Sequence, residues 1–355
     1  MQVFTTPDLV RTITDFQPGV PHLLGPFFHA HNRVVVAELQ PLATHAQQLK
    51  DPSLPHMLRF RLHSELRQGR AIASLRQAHL LLEAINHYGP DVLGRLHRCR
   101  PQLLDQVFLH IAIELGLDFV VGFYHRHAPE HMSSSAMDIA AARGQLNILR
   151  FLHLHRKEGC TSLAMDRAAA NNHMAVLMFL HAHRHEGCTA AAMDTAAKEG
   201  HLAILTWLHV HRHEGCTTLA MDAAARHGHL KVVQWLHHHR GEGCTTAAMD
   251  GAAQSGDIRV VQWLHAHRRE GCTADAMARA CEAGHLDIVR FLCDHRPDDA
   301  IVTPFAMAAA VRNGHIDVVR YLHEAKGIPC PAGALETKCN REMRAYIRHA
   351  SAIPV

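Results

Sequence analysis

The second half of the chain repeats one short motif with an almost fixed period. Ala-Met-Asp or Ala-Met-Ala occurs seven times, starting at Ala136, Ala164, Ala192, Ala220, Ala248, Ala276 and Ala306. The first six starts follow a period of 28, and the last step is longer by two. A fixed period of this length indicates supersecondary units stacked on one another instead of one globular core. Arrays of this kind bind through an extended surface more often than through a buried pocket.

One copy, residues 216–243, shows how a unit is expected to fold. Thr217 or Thr218 can cap a first helix with its hydroxyl. A narrow apolar stripe at helical spacing follows, formed by Ala220, Met221, Ala224 and Ala225. Gly228 suits the left-handed position after that helix, and a second, more apolar helix begins near His229. Helices this short are marginal alone, so each unit needs neighbours to bury its apolar faces.

Two blocks of the repeat resemble the ankyrin repeat. The block 163–169, Leu-Ala-Met-Asp-Arg-Ala-Ala, corresponds to the family's Thr-Pro-Leu-His-x-Ala-Ala, and the block 228–236, Gly-His-Leu-Lys-Val-Val-Gln-Trp-Leu, corresponds to Gly-His-x-x-Val-Val-x-x-Leu. The resemblance covers roughly residues 108–351. It implies an all-α, ankyrin-type helical-repeat solenoid that recognises proteins. The period of 28 is shorter than the family's usual 33, so we expect shortened hairpin loops.

The organisation predicted from these patterns has two parts. Residues 1–107 form a helical N-terminal extension, within which residues 6–19 faintly resemble the opening helix of an F-box. Residues 108–355 form the repeat array. Its first repeat, 108–135, is degenerate, and its last, 334–355, is a capping repeat with a polar outer face.

Composition narrows the cellular setting. Residues 1–19 lack a basic stretch followed by an apolar run, and no apolar stretch is long enough to cross a bilayer, so we expect neither a signal peptide nor a membrane span. Ten cysteines in such a chain predict a reducing, intracellular compartment, cytoplasmic or nuclear. The net charge of +3 is too small to name a polyanionic partner. The 35 histidines are unusual, and their protonation near pH 6.5 should destabilise a packed array through repulsion.

The cysteine column does not predict a metal site. Equivalent positions in stacked helical units lie about 8–10 Å apart, too far for a shared ion or a disulfide. Cys160, Cys188, Cys216, Cys244 and Cys272 are therefore expected to be small buried residues at the junction of loop and helix.

The histidine columns carry no repeated chelating pair. Pairs such as His209/His211 lie on opposite sides of a helix. His181 and His185 have the four-residue spacing that a shared metal needs, but other repeats have Lys157, Gly241 or Arg269 at the position of His185. The alternative is that the imidazoles interact with free carbonyls at the helix C-terminus. We expect no metal and no other cofactor.

Two further columns are expected to be structural. An aromatic residue recurs at Phe151, Phe179, Trp207, Trp235, Trp263, Phe291 and Tyr321, which indicates packing between repeats. The arginine column at 156, 184, 212, 240 and 268 is followed two residues later by glutamate, which indicates a solvated ladder of ion pairs. No nucleophile elbow, phosphate-binding loop, zinc-protease motif or dinucleotide fingerprint occurs, so we predict a protein that is not an enzyme.

The candidate binding residues are the variable polar residues just before each glycine turn. They are Arg143, Asn171, Lys198, Glu199, Arg226, His227, Gln254, Ser255, Glu282, Arg312 and Asn313. The resemblance implies that a protein partner meets the concave face, where the first helices lie. The alternative is that these are only unconstrained surface positions. We expect the chain to be a monomer.

Two rival functions stay open. The F-box-like helix would make the chain a substrate-recognition adaptor of a ubiquitin ligase. The segment 57–100 has eight arginines against three acidic residues, which would suit a nucleic-acid binder. Nucleic acid is the weaker prediction, because acidic residues accompany the basic column of the repeats.

Overall fold

The computed structural model describes residues 78, 81–86, 88–296, 302–330 and 341–351. The chain forms two compact units, Met1–Thr161 and Ser162–Val355. Within the described residues the secondary structure is helical, with turns between the helices and no strand. The predicted fold class, an all-α array of helix pairs, is therefore confirmed.

The described part of the first unit holds five α-helices besides a helical stretch at 81–86. They are α1 (Val92–Cys99), α2 (Gln106–Glu114), α3 (Asp118–His127), α4 (Ser134–Ala142) and α5 (Leu146–His155). α2 packs on α3 and on α4, so helix pairs already stack here. α2 starts two residues before the predicted beginning of the array at residue 108, because Asp105 accepts a hydrogen bond from the backbone N–H of Phe108 and caps it.

The second unit continues the same pairing. Its first helices are α6 (Ser162–Ala170), α8 (Ala190–Lys198), α10 (Thr218–Arg226), α12 (Thr246–Ser255), α14 (Ala274–Ala283) and α16 (Pro304–Asn313). Its second helices are α7 (Met174–His183), α9 (Leu202–His211), α11 (Leu230–His239), α13 (Ile258–His267), α15 (Leu286–His295) and α17 (Ile316–Arg320). A π-helical turn, Tyr321–Ala325, extends α17, and α18 (Arg341–Ser351) follows.

The repeat folds as the sequence indicates. The Thr217 side chain accepts a hydrogen bond from the Leu219 N–H and caps α10. Gly228 adopts φ +74° in the turn before α11, a conformation that costs other residues about 1–2 kcal/mol. The short segment 212–217 connects α9 to α10, which agrees with the expected short loop.

Alanine controls how closely the first helices approach. The predicted stripe of α10, with Ala220, Met221, Ala224 and Ala225, is buried throughout. In the second unit, each first helix packs directly on the first helix of the next pair. Side chains of one carbon allow this close contact, whereas larger ones would force the helices apart. The valines and leucines of the second helices form the rest of the core.

The ends of the described chain bear on the predicted domains. The F-box-like segment 6–19 lies outside the described residues. At the other end, α18 buries Met343 and Ile347 and exposes Arg344 and Arg348. An amphipathic terminal helix of this kind has the polar outer face that a capping repeat needs.

Two glycines of one loop offer a matched test of the turn. A Cβ on Gly243, which has φ +75°, would lie 2.5 Å from Nη2 of Arg268 in the next loop. Gly241 has open space around it and no positive φ. We expect Gly243→Ala to destabilise the protein by about 1–2 kcal/mol and Gly241→Ala to change stability by less than about 0.5 kcal/mol. Urea denaturation measures both, and equal effects would contradict this account of the loop.

Candidate functional site

All eleven predicted binding residues are exposed. Each lies in the last two positions of a first helix or directly after it. Arg143 belongs to the first unit and the other ten belong to the second. Because successive first helices of the second unit pack side by side, these ten residues line one edge of that helix row. We call this edge of the second unit the turn edge.

The turn edge carries a mixture of paired and unpaired charge. Lys198 Nζ lies 3.0 Å from Glu199 Oε1, and this hydrogen bond lowers the pKa of the Glu199 carboxyl. Arg226 makes no ion pair within the described residues. The Arg312 guanidinium lies 5.8 Å from the centre of the Phe305 ring, two helical turns back. The row therefore presents guanidinium groups that an external carboxylate could bind.

Histidines of the glycine turns fix the helix ends behind this edge. His285 Nε2 donates to the backbone oxygen of Gln254 at 3.2 Å, and His315 Nε2 donates to that of Glu282 at 2.9 Å. Asn313 Nδ2 donates to the same Glu282 oxygen at 2.8 Å. These bonds satisfy carbonyls at the helix C-terminus, so part of the predicted binding set also supports the fold.

A carboxylate joins each repeat to the next. Asp222 is buried; its Oδ1 accepts the Thr245 N–H at 2.8 Å and its Oδ2 accepts the Thr245 hydroxyl at 2.7 Å. Equivalent bonds join Asp138 to Thr161, Asp166 to Thr189, Asp194 to Thr217 and Asp250 to Thr273. The threonine belongs to the following repeat and lies at the start of its first helix. We call this contact the Asp–Thr clamp.

The arginine and glutamate columns form the predicted ladder of ion pairs, and the pairs are partly exposed to solvent. Five bidentate ion pairs join Arg156 to Glu158, Arg184 to Glu186, Arg212 to Glu214, Arg240 to Glu242 and Arg268 to Glu270. Their side chains are only 16–32% exposed. Arg212, Arg240 and Arg268 each lie over the glycine of the preceding loop.

Hydrogen bonding dominates the electrostatics of these pairs. Burial by itself would raise the pKa of Glu214, but bonds from Arg212 and the backbone lower it to about 2. The Glu214 carboxylate also accepts the Cys188 N–H at 3.5 Å. The pair of Arg212 and Glu214 thus joins two neighbouring loops.

The second helices carry a ladder of imidazole and aromatic rings. His211 stacks on Trp207 of its own helix, with centroids 4.5 Å apart, and its Nδ1 donates to the Trp207 carbonyl at 2.9 Å. His209 instead meets the edge of Trp235 in the next repeat at 5.3 Å. In the first unit, His125, Phe151 and His155 repeat this arrangement. One histidine column therefore bonds a carbonyl in the last turn of its own helix, while the other column contacts the next repeat.

The second histidine column accepts hydrogen bonds from arginine. Arg296 Nε donates to His265 Nδ1 at 3.0 Å, and Arg268 Nη1 lies 3.4 Å from His237 Nδ1. Only a neutral imidazole can accept such a bond. Burial and the nearby Arg268 lower the pKa of His237, and burial and Arg296 lower that of His265. We call His209, His237 and His265 the inner histidines.

The same ring contact occurs at α1. His97 of α1 meets the edge of Phe123 at 5.8 Å, as His125 meets Phe151. Gly89, just before α1, has φ +79° like the glycines of the later turns. The repeated geometry thus reaches into the segment that the sequence assigned to the N-terminal extension. The signal was that His97 precedes His125 by one full period of the array.

No metal or membrane site emerges from the described part of the chain. No three His, Cys, Asp or Glu side chains there are grouped so that they could hold a metal ion. None of the described helices combines the length and the apolar character needed to cross a bilayer.

The repeated cysteines are buried thiols and should react slowly. Burial, with the nearby glutamates, raises the pKa of Cys188 to about 12 and those of Cys216 and Cys244 to about 11. Since the thiolate is the reactive form, we expect iodoacetamide at pH 8 to label them roughly tenfold or more slowly than the half-exposed Cys99. Peptide mass spectrometry resolves each site, and labelling in guanidinium is the control. Equal native rates would contradict this environment.

Comparison with known families gives matches in the repeat region. A family model described as ankyrin repeats in three copies matches residues 249–330. A second, described as ankyrin repeats in many copies, matches residues 193–237 and 221–265. No curated protein matches the chain.

Proposed function

Since residues 193–330 are ankyrin repeats, whose usual role is protein–protein interaction, we propose that this chain recognises a protein partner without catalysis. The partner binds the concave face of the array, and the turn edge supplies its polar contacts. The chain acts as an intracellular monomer.

One contrast carries this proposal. The buried positions hardly change from repeat to repeat, as Ala220/Met221 and Ala248/Met249 illustrate. The exposed positions at the turn edge change in every repeat, for example from Lys198 to Arg226 to Gln254. A constant frame with variable exposed side chains is what a modular binding surface requires.

The rival functions rest on other parts of the chain. A ligase adaptor would need residues 6–19, which the structure does not describe. A nucleic-acid binder would use residues 57–100, of which the structure describes 78, 81–86 and 88–100. No observation on the described residues favours either of these functions over protein recognition.

Affinity capture with matched charge reversals tests the proposal. One variant changes Lys198, Arg226 and Arg312 to Glu on the turn edge. The control changes exposed Lys231, Arg269 and Arg290 to Glu on second helices and a loop. We expect proteins recovered by the natural chain to be kept by the control and lost, by about tenfold or more, from the turn-edge variant. Equal recovery by both variants would contradict binding at this edge.

A further inference from the structure

In the row of first helices, one repeat has a glycine at a position where the other repeats carry a side chain. Positions 219, 223 and 226 of α10 correspond, one period later, to positions 247, 251 and 254 of α12. Position 251 is glycine, whereas the equivalent position is Ile139, Arg167, Thr195, Ala223 or Arg279 in other repeats. Gly251 has no positive φ, so the backbone conformation does not require glycine there. The missing side chain instead leaves room for a neighbouring residue.

Arg226 occupies the space that Gly251 leaves. A Cβ on Gly251 would lie 2.8 Å from the Arg226 Cβ and 3.1 Å from its Nε. The arginine stem therefore runs across the backbone of α12. This contact restricts the stem, so less side-chain entropy is lost when the guanidinium binds a partner.

On one side, Arg226 is bordered by residues with apolar or small side chains. Leu219 and Ala223 lie seven and three residues earlier on α10, which places them on the same helix face as Arg226. Leu219 is 63% exposed. Ala247, one turn before Gly251 on α12, is an alanine and adds no large side chain to this face. We call Leu219, Ala223, Arg226, Ala247 and Gly251 the Arg226 platform.

We propose that the Arg226 platform binds an extended acidic segment of the partner protein, with a carboxylate on Arg226 and an apolar side chain on Leu219. This inference rests on the proposed function and names the chemistry of its partner. Leu219 and Arg226 are seven residues apart on a helix, or about 10 Å. An extended segment covers that distance in about three residues. The segment thus has an Asp or Glu and a large apolar residue at a spacing of three.

Charge on the platform and beside it favours a protein carboxylate over nucleic acid. Arg226 has no ion pair in the described structure, so a carboxylate can bind it in the bidentate geometry that guanidinium prefers. Glu199 and Glu282 are exposed on the same turn edge. A regular run of phosphates would lie against these carboxylates, whereas a segment with a single acidic residue avoids them.

Selection from a random 16-residue peptide display library on the immobilised full chain tests this assignment. We expect the enriched peptides to contain an Asp or Glu three positions from Leu, Ile, Met or Phe. We expect Arg226→Glu to weaken their binding by about tenfold or more, and Arg226→Lys to weaken it less. Lys231→Glu makes the same charge change on an exposed site of α11 and should leave binding unchanged. Gly251→Ala should weaken binding because it displaces the arginine stem.

The outcomes separate this inference from the proposed function. Enriched peptides without the acidic residue, yet sensitive to the triple turn-edge variant, would overturn the acidic segment and leave protein recognition standing. Peptides that bind every variant equally, or no enrichment at all, would count against both. Displacement of the acidic peptides by a mixed single-stranded oligonucleotide at equal concentration would reassign the platform to nucleic acid. Thermal melting of each variant checks that a loss of binding is not a loss of folding.

Discussion

Replacing Asp222 with Ala should lower the free energy of unfolding by about 2–4 kcal/mol, the largest effect that we expect from one polar substitution in the array. The buried carboxylate accepts both the N–H and the hydroxyl of Thr245. Its removal leaves the Thr245 N–H without its acceptor and weakens the interface between α10 and α12. Guanidinium denaturation followed by circular dichroism measures the loss.

Matched variants show whether the loss comes from the clamp. Asp275→Ala removes a side-chain ion pair with Arg279 in the same array, but Asp275 is 65% exposed there, so a change below about 1 kcal/mol is expected. Thr245→Val removes only the hydroxyl partner, and a double-mutant cycle with Asp222→Ala should give a coupling of about 1 kcal/mol. Additive effects of Asp222→Ala and Thr245→Val would show that the two side chains are not coupled.

Acidification from pH 7.5 to 5.5 should lower the melting temperature by about 2 °C or more. The folded-state pKa values of His237 and His265 are lowered by burial and by Arg268 and Arg296. Between these values and the ordinary histidine pKa of about 6.5, the unfolded chain binds more protons than the folded chain. Stability therefore falls as the pH falls through this range.

The groups around the inner histidines set the direction of this effect. His237 faces Arg268, His238 and His267, which oppose its protonation, and Glu270, which favours it. Glu270 forms an ion pair with Arg268, so its charge is largely balanced there and favours the protonation of His237 less. The carboxylates that are paired with arginine are protonated only at lower pH, since the pKa of Glu214 is about 2. A comparison that stops at pH 5.5 therefore reports mainly on histidine.

Replacing the inner histidines with glutamine distinguishes the effect of their protonation from the effect of their packing. Its side-chain oxygen can accept the arginine hydrogen bond, but it does not ionise in this range. We expect His237→Gln with His265→Gln to reduce the pH dependence of the melting temperature, whereas His213→Gln, on an exposed loop residue that does not face the inner histidines 237 and 265, should leave it unchanged. A natural chain that melts at the same temperature at both pH values would refute the mechanism.

The candidate surface was predictable from the sequence to a limited degree. The eleven predicted residues vary beside constant positions, and all are exposed. No sequence pattern indicated that Arg226 crosses Gly251, because that contact depends on how closely α10 approaches α12. Nor did any pattern predict that Asn313 donates to the Glu282 carbonyl, since the two residues belong to different repeats.

The sequence of the array contains a signal for the Asp–Thr clamp. Each of the aspartates from Asp138 to Asp250 is followed at one fixed distance by a threonine, whereas Ala278 is followed at that distance by Ile301. The two residue types are therefore present or absent together within one chain. A bonded pair explains this, since a buried carboxylate without its donors would be destabilising.

The amino-acid sequence by itself determined the helix pairs, their turns and the residues of their core. These depend on short-range properties, such as a threonine cap, alanines at helical spacing and a glycine that tolerates positive φ, and the period repeats each of them. Only the tertiary structure decided which side chains meet across repeats. The clamp, the imidazole ladder and the Arg226 platform join residues that lie far apart in the chain. Their geometry follows from the distance and rotation between successive units, which no local pattern encodes.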